Sequence, residues 1–196
     1  MTRIHADITV SLDGFVTGPD PRPGRGLGEG GERLHYWIFG GPWTYDSPSS
    51  GQEATRADAE AAADLVDAGA VIVGRGMFDD GEQWGGENPY PMPIFVLTSR
   101  ITDDLPAGFT YLSDLDSALT QAAEVAGERP VLIGGGPTVI RQCLRAGVVD
   151  RLTLHIAPVV LGGGTPLFDG GFAADLTPVR CRHSALATHL TYDLGR

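Results

Sequence analysis

Three places in the 196-residue sequence gather groups able to hold a phosphate. In "VLIGGGPTVIRQCL" (131–144), three glycines and a proline separate a short apolar run from a helical pattern. Val139, Ile140, Cys143 and Leu144 form the apolar stripe of that helix. Pro137 suits its first position, where a missing N–H costs nothing. The amides of Gly135, Gly136, Thr138 and Val139 would then collect at a helix N-terminus, a natural anion site. Gly134, Gly135 and Gly136 would let a phosphate approach without a Cβ in the way. The spacing is not G-x-G-x-x-G, so the standard dinucleotide fingerprint is absent. The same residues also suit a plain strand-to-helix turn. At "VIVGRGMFDD" (71–80), Gly74 closes a strand and Arg75 stands where a helix begins, adding positive charge. In "LTSR" (97–100), Thr98, Ser99 and Arg100 leave a strand together. Two hydroxyls and a guanidinium suit a phosphomonoester.

Composition narrows the chemistry. All 14 basic residues are arginine. A Schiff-base lysine and a P-loop are therefore excluded. The formal net charge of -11 argues against nucleic acid or an anionic membrane as a partner. Two cysteines give neither a disulfide framework nor a metal cluster, and no histidine pair has metal-ligand spacing. No metal is expected. The start, "MTRIHADITV", runs straight into a strand pattern without a targeting segment, and a cytoplasmic location is expected.

The elements that must position these groups can be read from periodicity. Residues 3–13 alternate: Ile4, Ala6, Ile8, Val10 and Leu12 against His5, Asp7, Thr9, Ser11 and Asp13. That predicts a strand with one apolar face. Residues 53–68 read as an acidic, alanine-rich helix, with 70–74, 93–99 and 109–112 as short strands. A helix over 113–127 would be capped by Ser113, with Gly127 past its end. Then come a strand (130–134), a helix (137–147), a long strand (150–162) and another over 178–194. Strands alternating with helices predict an α/β domain, a mostly parallel sheet with helices on both faces. Two long strands with no helix between them predict an antiparallel C-terminal edge, turned by a long glycine-rich hairpin at 161–171.

One segment breaks the rhythm. Residues 19–52 hold five prolines and eight glycines, with Tyr36, Trp37, Phe39, Trp43 and Tyr45 among them. Aromatics argue against plain disorder. The segment reads as a lid or pocket wall with a short helix near 31–39, or as a loop packed on the surface. The whole chain reads as a single domain.

In open α/β sheets, ligands bind beyond the carboxyl ends of the strands. Three such ends here carry donors for a pyrophosphate and one further phosphate, which is the pattern of NADPH. The ordered set "ITVSLDGFVTG", "VIVGRGMFD", "FVLTSR", "VLIGGGPTVIRQCL" and "LHIAPVVLGGGTPLF" resembles the dihydrofolate reductase-like superfamily. More narrowly, it resembles the branch containing the reductase domain of bacterial riboflavin biosynthesis. The resemblance spans nearly the whole chain apart from 19–52. It implies a three-layer fold with a reversed last strand and NADPH-dependent reduction of a C=N bond in a pterin-, folate- or aminopyrimidine-like ring. It also implies a homodimer and a cis peptide at Gly134–Gly135. By the same resemblance, the cofactor is held at Gly74–Arg75, at Thr98–Arg100, and along Ser11–Gly14 with Gly18 just beyond. Met77 stands where the family usually has a threonine. Phe15 stands where the riboflavin branch commonly has a lysine.

Reducing C=N takes a hydride on carbon and a proton on nitrogen. Folate reductases carry a carboxylate on the helix before the glycine–arginine junction, which implies Asp58 as the acid here. Asp58 shares an inward stripe with Ala61, Ala62 and Leu65. It also completes a capping box with Thr55. Asp13 is the second candidate acid, in an Asp-Gly pair that equally suits a turn. A different class of reading remains open: an NADP(H)-binding protein without catalysis, acting as a sensor or sink.

Overall fold

The computed structural model describes residues 2–47 and 50–195; Pro48 and Ser49 of the 19–52 segment lie outside the described residues. Among the described residues, eight strands form a single sheet in the order β4-β3-β2-β5-β1-β6-β8-β7. The strands are β1 (Ile4–Ser11), β2 (Ala70–Gly74), β3 (Ile94–Leu97), β4 (Thr110–Leu112), β5 (Val131–Gly135), β6 (Arg151–Ala157), β7 (Leu176–His183) and β8 (Thr188–Leu194). Pairings from β4 to β6 are all parallel, whereas β6–β8 and β8–β7 are antiparallel. The mixed sheet with an antiparallel edge is thus as the sequence implies.

Helices α1 (Arg56–Val66), α2 (Arg75–Asp80), α3 (Leu115–Ala126) and α4 (Pro137–Arg145) cover the sheet. On one face, α3 and α4 pack onto Ala6, Val10, Ile72 and Ile133. The buried stripe of α4 is Val139, Ile140, Cys143 and Leu144. Each such aliphatic side chain contributes about 1.5–3 kcal/mol on burial. On the other face, Phe78 of α2 and Trp84 cover Val71, Val73 and Val96. Further along that face, Trp37, Ala61 and Ala187 form a third cluster. Strands β2 and β3 are apolar throughout because both of their faces are buried.

Several details differ from the sequence expectations. The 178–194 strand is a hairpin, β7 and β8, turned at Ser184–Ala187. No glycine or proline marks that turn. The Ser184 hydroxyl makes it instead, accepting from the amides of Leu186 (2.9 Å) and Ala187 (3.1 Å). The N-cap of α3 is Asp114, whose carboxylate accepts from the Ser117 amide at 2.8 Å, and not Ser113. The cis peptide lies at Gly135–Gly136, one bond later than the resemblance implied. The glycine-rich 161–171 stretch is not a hairpin between neighbouring strands. It returns to the turn after β1, where Val16 donates to Thr165 and Leu167 donates to Gly14. The expected helix near 31–39 is a 3-10 turn over Gly31–His35.

Strand β1 departs most from expectation. Its polar face is not solvated: Asp7, Thr9 and Ser11 are all buried. Leu12, expected on the apolar face, lies beyond the last strand residue and is exposed. A central strand of a covered sheet has no wet side, so its polar residues must find partners inside.

Candidate functional site

A cleft of about 970 Å³ opens where β2, β3 and β5 end. Gly74, Arg75, Thr98, Ser99, Arg100, Gly134, Gly135, Gly136, Pro137 and Thr138 all line it. The structure thus brings together the three strand ends singled out in the sequence. Pro137 occupies the first turn of α4, and Gly136 is its N-cap without a capping side chain. The first amides of α4 are left to accept a ligand there. Gly135 has φ +124, and a Cβ built on it would sit 2.8 Å from Met77 Sδ. Met77 therefore packs under the glycine turn, where a threonine would have placed a hydroxyl.

The arginines are preset. Arg75 Nε donates to Asp79 Oδ1 at 2.6 Å, and Arg75 Nη1 donates to the Arg100 carbonyl at 2.8 Å. Arg100 Nη2 reaches Asp79 Oδ2 at 3.3 Å. One carboxylate thus draws two guanidiniums to one rim. Arg75 is largely covered while Arg100 is mostly exposed. The buried Thr98 hydroxyl accepts from the Arg100 amide at 3.0 Å, fixing the direction in which that residue leaves the strand.

The opposite wall comes from β1 and the 19–52 segment. Leu27, His35, Trp37, Phe39, Trp43 and Tyr45 all line the cleft. Phe39, Trp43 and Tyr45 pack ring against ring in sequence, the first pair tilted and the second edge-on, with centroids 4.8 and 5.2 Å apart. Trp43 Nε1 donates to the Glu32 carbonyl at 3.0 Å, and the Tyr45 hydroxyl accepts from the Leu27 amide at 2.8 Å. Burial and then His155 push the pKa of His35 down to about 4. Burial and then Asp79 raise that of Asp80, another lining residue.

The remaining predicted residues are not among those lining the cleft. The Ser11 hydroxyl accepts from the Phe15 amide at 2.9 Å. Gly14 turns the chain at φ +86. Gly18 is packed against the Glu29 carbonyl, which a Cβ would strike. Asp13 is exposed and accepts from the amides of Leu161 (3.1 Å) and Gly162 (2.8 Å). The Ser11 hydroxyl, with those amides, holds the Asp13 carboxyl down at about 2. Asp13 is thus a loop clamp that stays ionised, and not a proton donor.

Asp58 is fully buried but lies behind the cleft. Its carboxylate accepts from Thr55 Oγ1 (2.7 Å) and Ser184 Oγ (2.8 Å) and meets His189 Nε2 at 3.0 Å. Two carboxylates do line the cleft: Asp80, and Asp7, whose Oδ1 lies 2.8 Å from His155 Nε2. The sequence reading missed Asp7, His155 and His189. The available signal was their position: polar residues on the inner strands of a sheet covered on both faces. Among the described residues, no group of three or more acidic, histidine or cysteine side chains is arranged to hold a metal, and no helix is long and apolar enough to cross a membrane.

Residues 2–190 match the RibD C-terminal domain family. The chain belongs to that family. Its fold is dihydrofolate reductase-like. A solved Shewanella sp. PV-4 protein, assigned by name to riboflavin biosynthesis, superposes with a TM-score of 0.71 at 19% identity, covering 100% of both chains. Dihydrofolate reductase from Enterococcus faecalis, complexed with NADP(H) and RAB-propyl, gives 0.62 at 17% identity, covering 99% of this chain and 97% of that one. A pyrimidine reductase-like protein from Corynebacterium diphtheriae gives 0.60 at 20% identity, over 100% of this chain and 92% of that one. No curated protein matches the chain in sequence.

Proposed function

We propose that this RibD C-terminal domain protein is an NADPH-dependent reductase acting on a C=N bond in a pterin-, folate- or aminopyrimidine-like ring. One observation carries the reading: two arginines, the Thr98 and Ser99 hydroxyls and the free amides of α4 converge on one rim of the cleft. Family membership and the folds of the Shewanella, Enterococcus and Corynebacterium proteins support an oxidoreductase.

The rim fits the cofactor's phosphates chemically. It offers N–H and O–H donors and positive charge, and Gly136 places no side chain over the helix end. The α4 amides suit the diphosphate, while Arg100 with Thr98 and Ser99 suits the phosphate on the ribose. Arg75 would serve as a covered cation between the two. The bound cofactor supplies the hydride. The aromatic wall of Trp43, Phe39 and Tyr45 offers flat apolar surface to a heteroaromatic ring. Burial of the cleft floor excludes water around the ring and strengthens each polar contact made there.

Calorimetry with NADPH and NADH tests the cofactor. NADPH should bind more tightly, and Arg100→Ala should weaken it by about tenfold or more, the loss of one charge-assisted hydrogen bond. Unchanged affinity in that variant would remove the reading. Turnover is then sought by following NADPH oxidation with dihydrofolate, pterins and ribosylaminopyrimidines. Tight NADPH binding without turnover of any of them would favour a non-catalytic sensor. The reading includes a homodimer, in which the exposed edge strand β7 is available for pairing; sedimentation at a monomer mass would remove that part.

A further inference from the structure

Four buried side chains form a line through the protein. Asp7 on β1, His155 on β6, His189 on β8 and Asp58 on α1 are all almost completely covered. Asp7 Oδ1 is 2.8 Å from His155 Nε2, His155 Nδ1 is 2.7 Å from His189 Nδ1, and His189 Nε2 is 3.0 Å from Asp58 Oδ1. Trp37 lies against both imidazoles, with centroids 4.2 and 4.9 Å away, and seals them from water.

Three short contacts need three protons, but two neutral imidazoles bring only two. With both carboxylates ionised, each Nε2–H points at its own carboxylate. Two bare Nδ1 lone pairs would then face each other at 2.7 Å, which is repulsive. A third proton removes the conflict. Burial, ahead of the opposing pull of Asp58, lowers the pKa of His189. An imidazolium at His189 is thereby disfavoured, and with both imidazoles neutral every contact is satisfied once the third proton sits on a carboxyl oxygen.

We infer that Asp7, His155, His189 and Asp58 form a shared-proton chain that holds one excess proton and delivers it to the cleft through Asp7. The inference rests on the reductase reading for its use, though not for its existence. Two arrangements with neutral imidazoles satisfy every contact. In one, Asp58 carries the proton and donates to His189 Nε2, His189 Nδ1–H donates to His155 Nδ1, and His155 Nε2–H donates to the Asp7 carboxylate. In the other, each proton has moved across its own hydrogen bond: Asp7 is the acid and Asp58 the carboxylate. Both imidazoles are neutral in both, so passage costs no buried imidazolium.

The balance with the reaction is simple. As hydride adds to the carbon of C=N, the π electron pair moves to nitrogen, and nitrogen takes the proton from Asp7. The chain is then one proton short. A solvent proton re-enters at Asp58 through the Thr55 hydroxyl, which lies on an exposed residue, and a 180° turn of each imidazole ring, which brings its N–H back toward Asp7, restores the first arrangement. The other groups facing the chain are few. Tyr90 lines the cleft, and after burial the charge of Asp7 raises its pKa. His35 approaches His155. Ser184 donates to Asp58. Asp7 is the catalytic residue under this reading; His155, His189 and Asp58 act through it.

Proton NMR of the full chain with 15N-labelled histidine tests the chain without any substrate. One resonance far downfield of the amides, coupled to the Nδ1 of both His155 and His189 and lost in His189→Gln, is expected. Two Nε2–H tautomers with unprotonated Nδ1 atoms from about pH 5 to pH 8 would overturn the inference. Kinetics then test its use. Asp58→Asn should lower turnover by about 100-fold near pH 8 and by less near pH 5.5, with NADPH affinity within about twofold of wild type. Parallel pH profiles in the two proteins would also overturn it. The downfield resonance without turnover of any substrate would instead remove the reductase reading and leave the proton chain standing.

Discussion

The two walls of the cleft are built from opposite materials. Where β2, β3 and β5 end, the groups are backbone amides, hydroxyls and guanidiniums at the rim, held at short range by Asp79. Behind the other wall, on β1, β6, β8 and α1, the groups are carboxylates and imidazoles satisfied inside the protein. Among the described residues, the one buried side-chain polar atom without a partner is His5 Nε2, at the far end of β1 from the cleft. The first wall is thus open to a ligand's charge, whereas the second is locked into the fold. Changes in the first should cost affinity, and changes in the second should cost stability.

The largest effect is expected from Trp37→Ala. The indole is fully buried, packs against both imidazoles and donates to Thr9 Oγ1 at 3.1 Å. Its removal should destabilise the protein by about 3–5 kcal/mol in chemical denaturation. A loss below about 1 kcal/mol would mean that the histidine wall is not a packed unit. The next effect is a pH dependence. The unfolded chain protonates His35 near 6.5, but the folded chain does so only near about 4. The unfolded state binds the extra proton in that window. Stability is therefore fully present above 6.5 and falls as the pH drops toward 4, by on the order of 2–3 kcal/mol. His35→Gln should flatten that slope in a denaturation series.

On the donor wall, Gly135→Ala should cost about 1–3 kcal/mol, because φ +124 strains any residue with a Cβ. It should also displace Met77 and weaken NADPH binding, sharpening the link between the glycine turn and the cofactor. The smallest effect on stability is expected from Arg100→Ala. Its ion pair with Asp79 is long and largely exposed, and should contribute no more than about 1 kcal/mol. A melting temperature close to wild type, beside a clear loss of NADPH affinity, would separate the two walls cleanly.

The donor wall was legible in the sequence because glycine, proline and arginine at strand ends have few other uses. The fold was legible for a related reason: "AVIVG", "PIFVL" and "PVLIG" are apolar runs of strand length between helical periods. The histidine wall was not legible. His155 and His189 lie 34 residues apart in sequence, and their meeting depends on β6 and β8 pairing with those two residues opposite each other. A polar residue on an alternating strand reads as solvated until the element covering it is known, and here that element is the irregular 19–52 segment. Asp58 was read correctly as inward. Its distance from the cleft depends on how α1 sits on β7 and β8, through Arg180 and Arg182 against Asp64 and Glu60. Local spacing carries no record of that.

Strand β1 comes before every other element described, yet it sits between β5 and β6, which begin at residues 131 and 151. During synthesis, "IHADITVS" must wait for most of the chain before either of its hydrogen-bonding edges is covered. The turn that follows it waits longer still, for residues 161–167. Such distant pairings slow folding. A nascent chain released before residue 131 would carry a bare strand with both rails exposed, a ready template for aggregation.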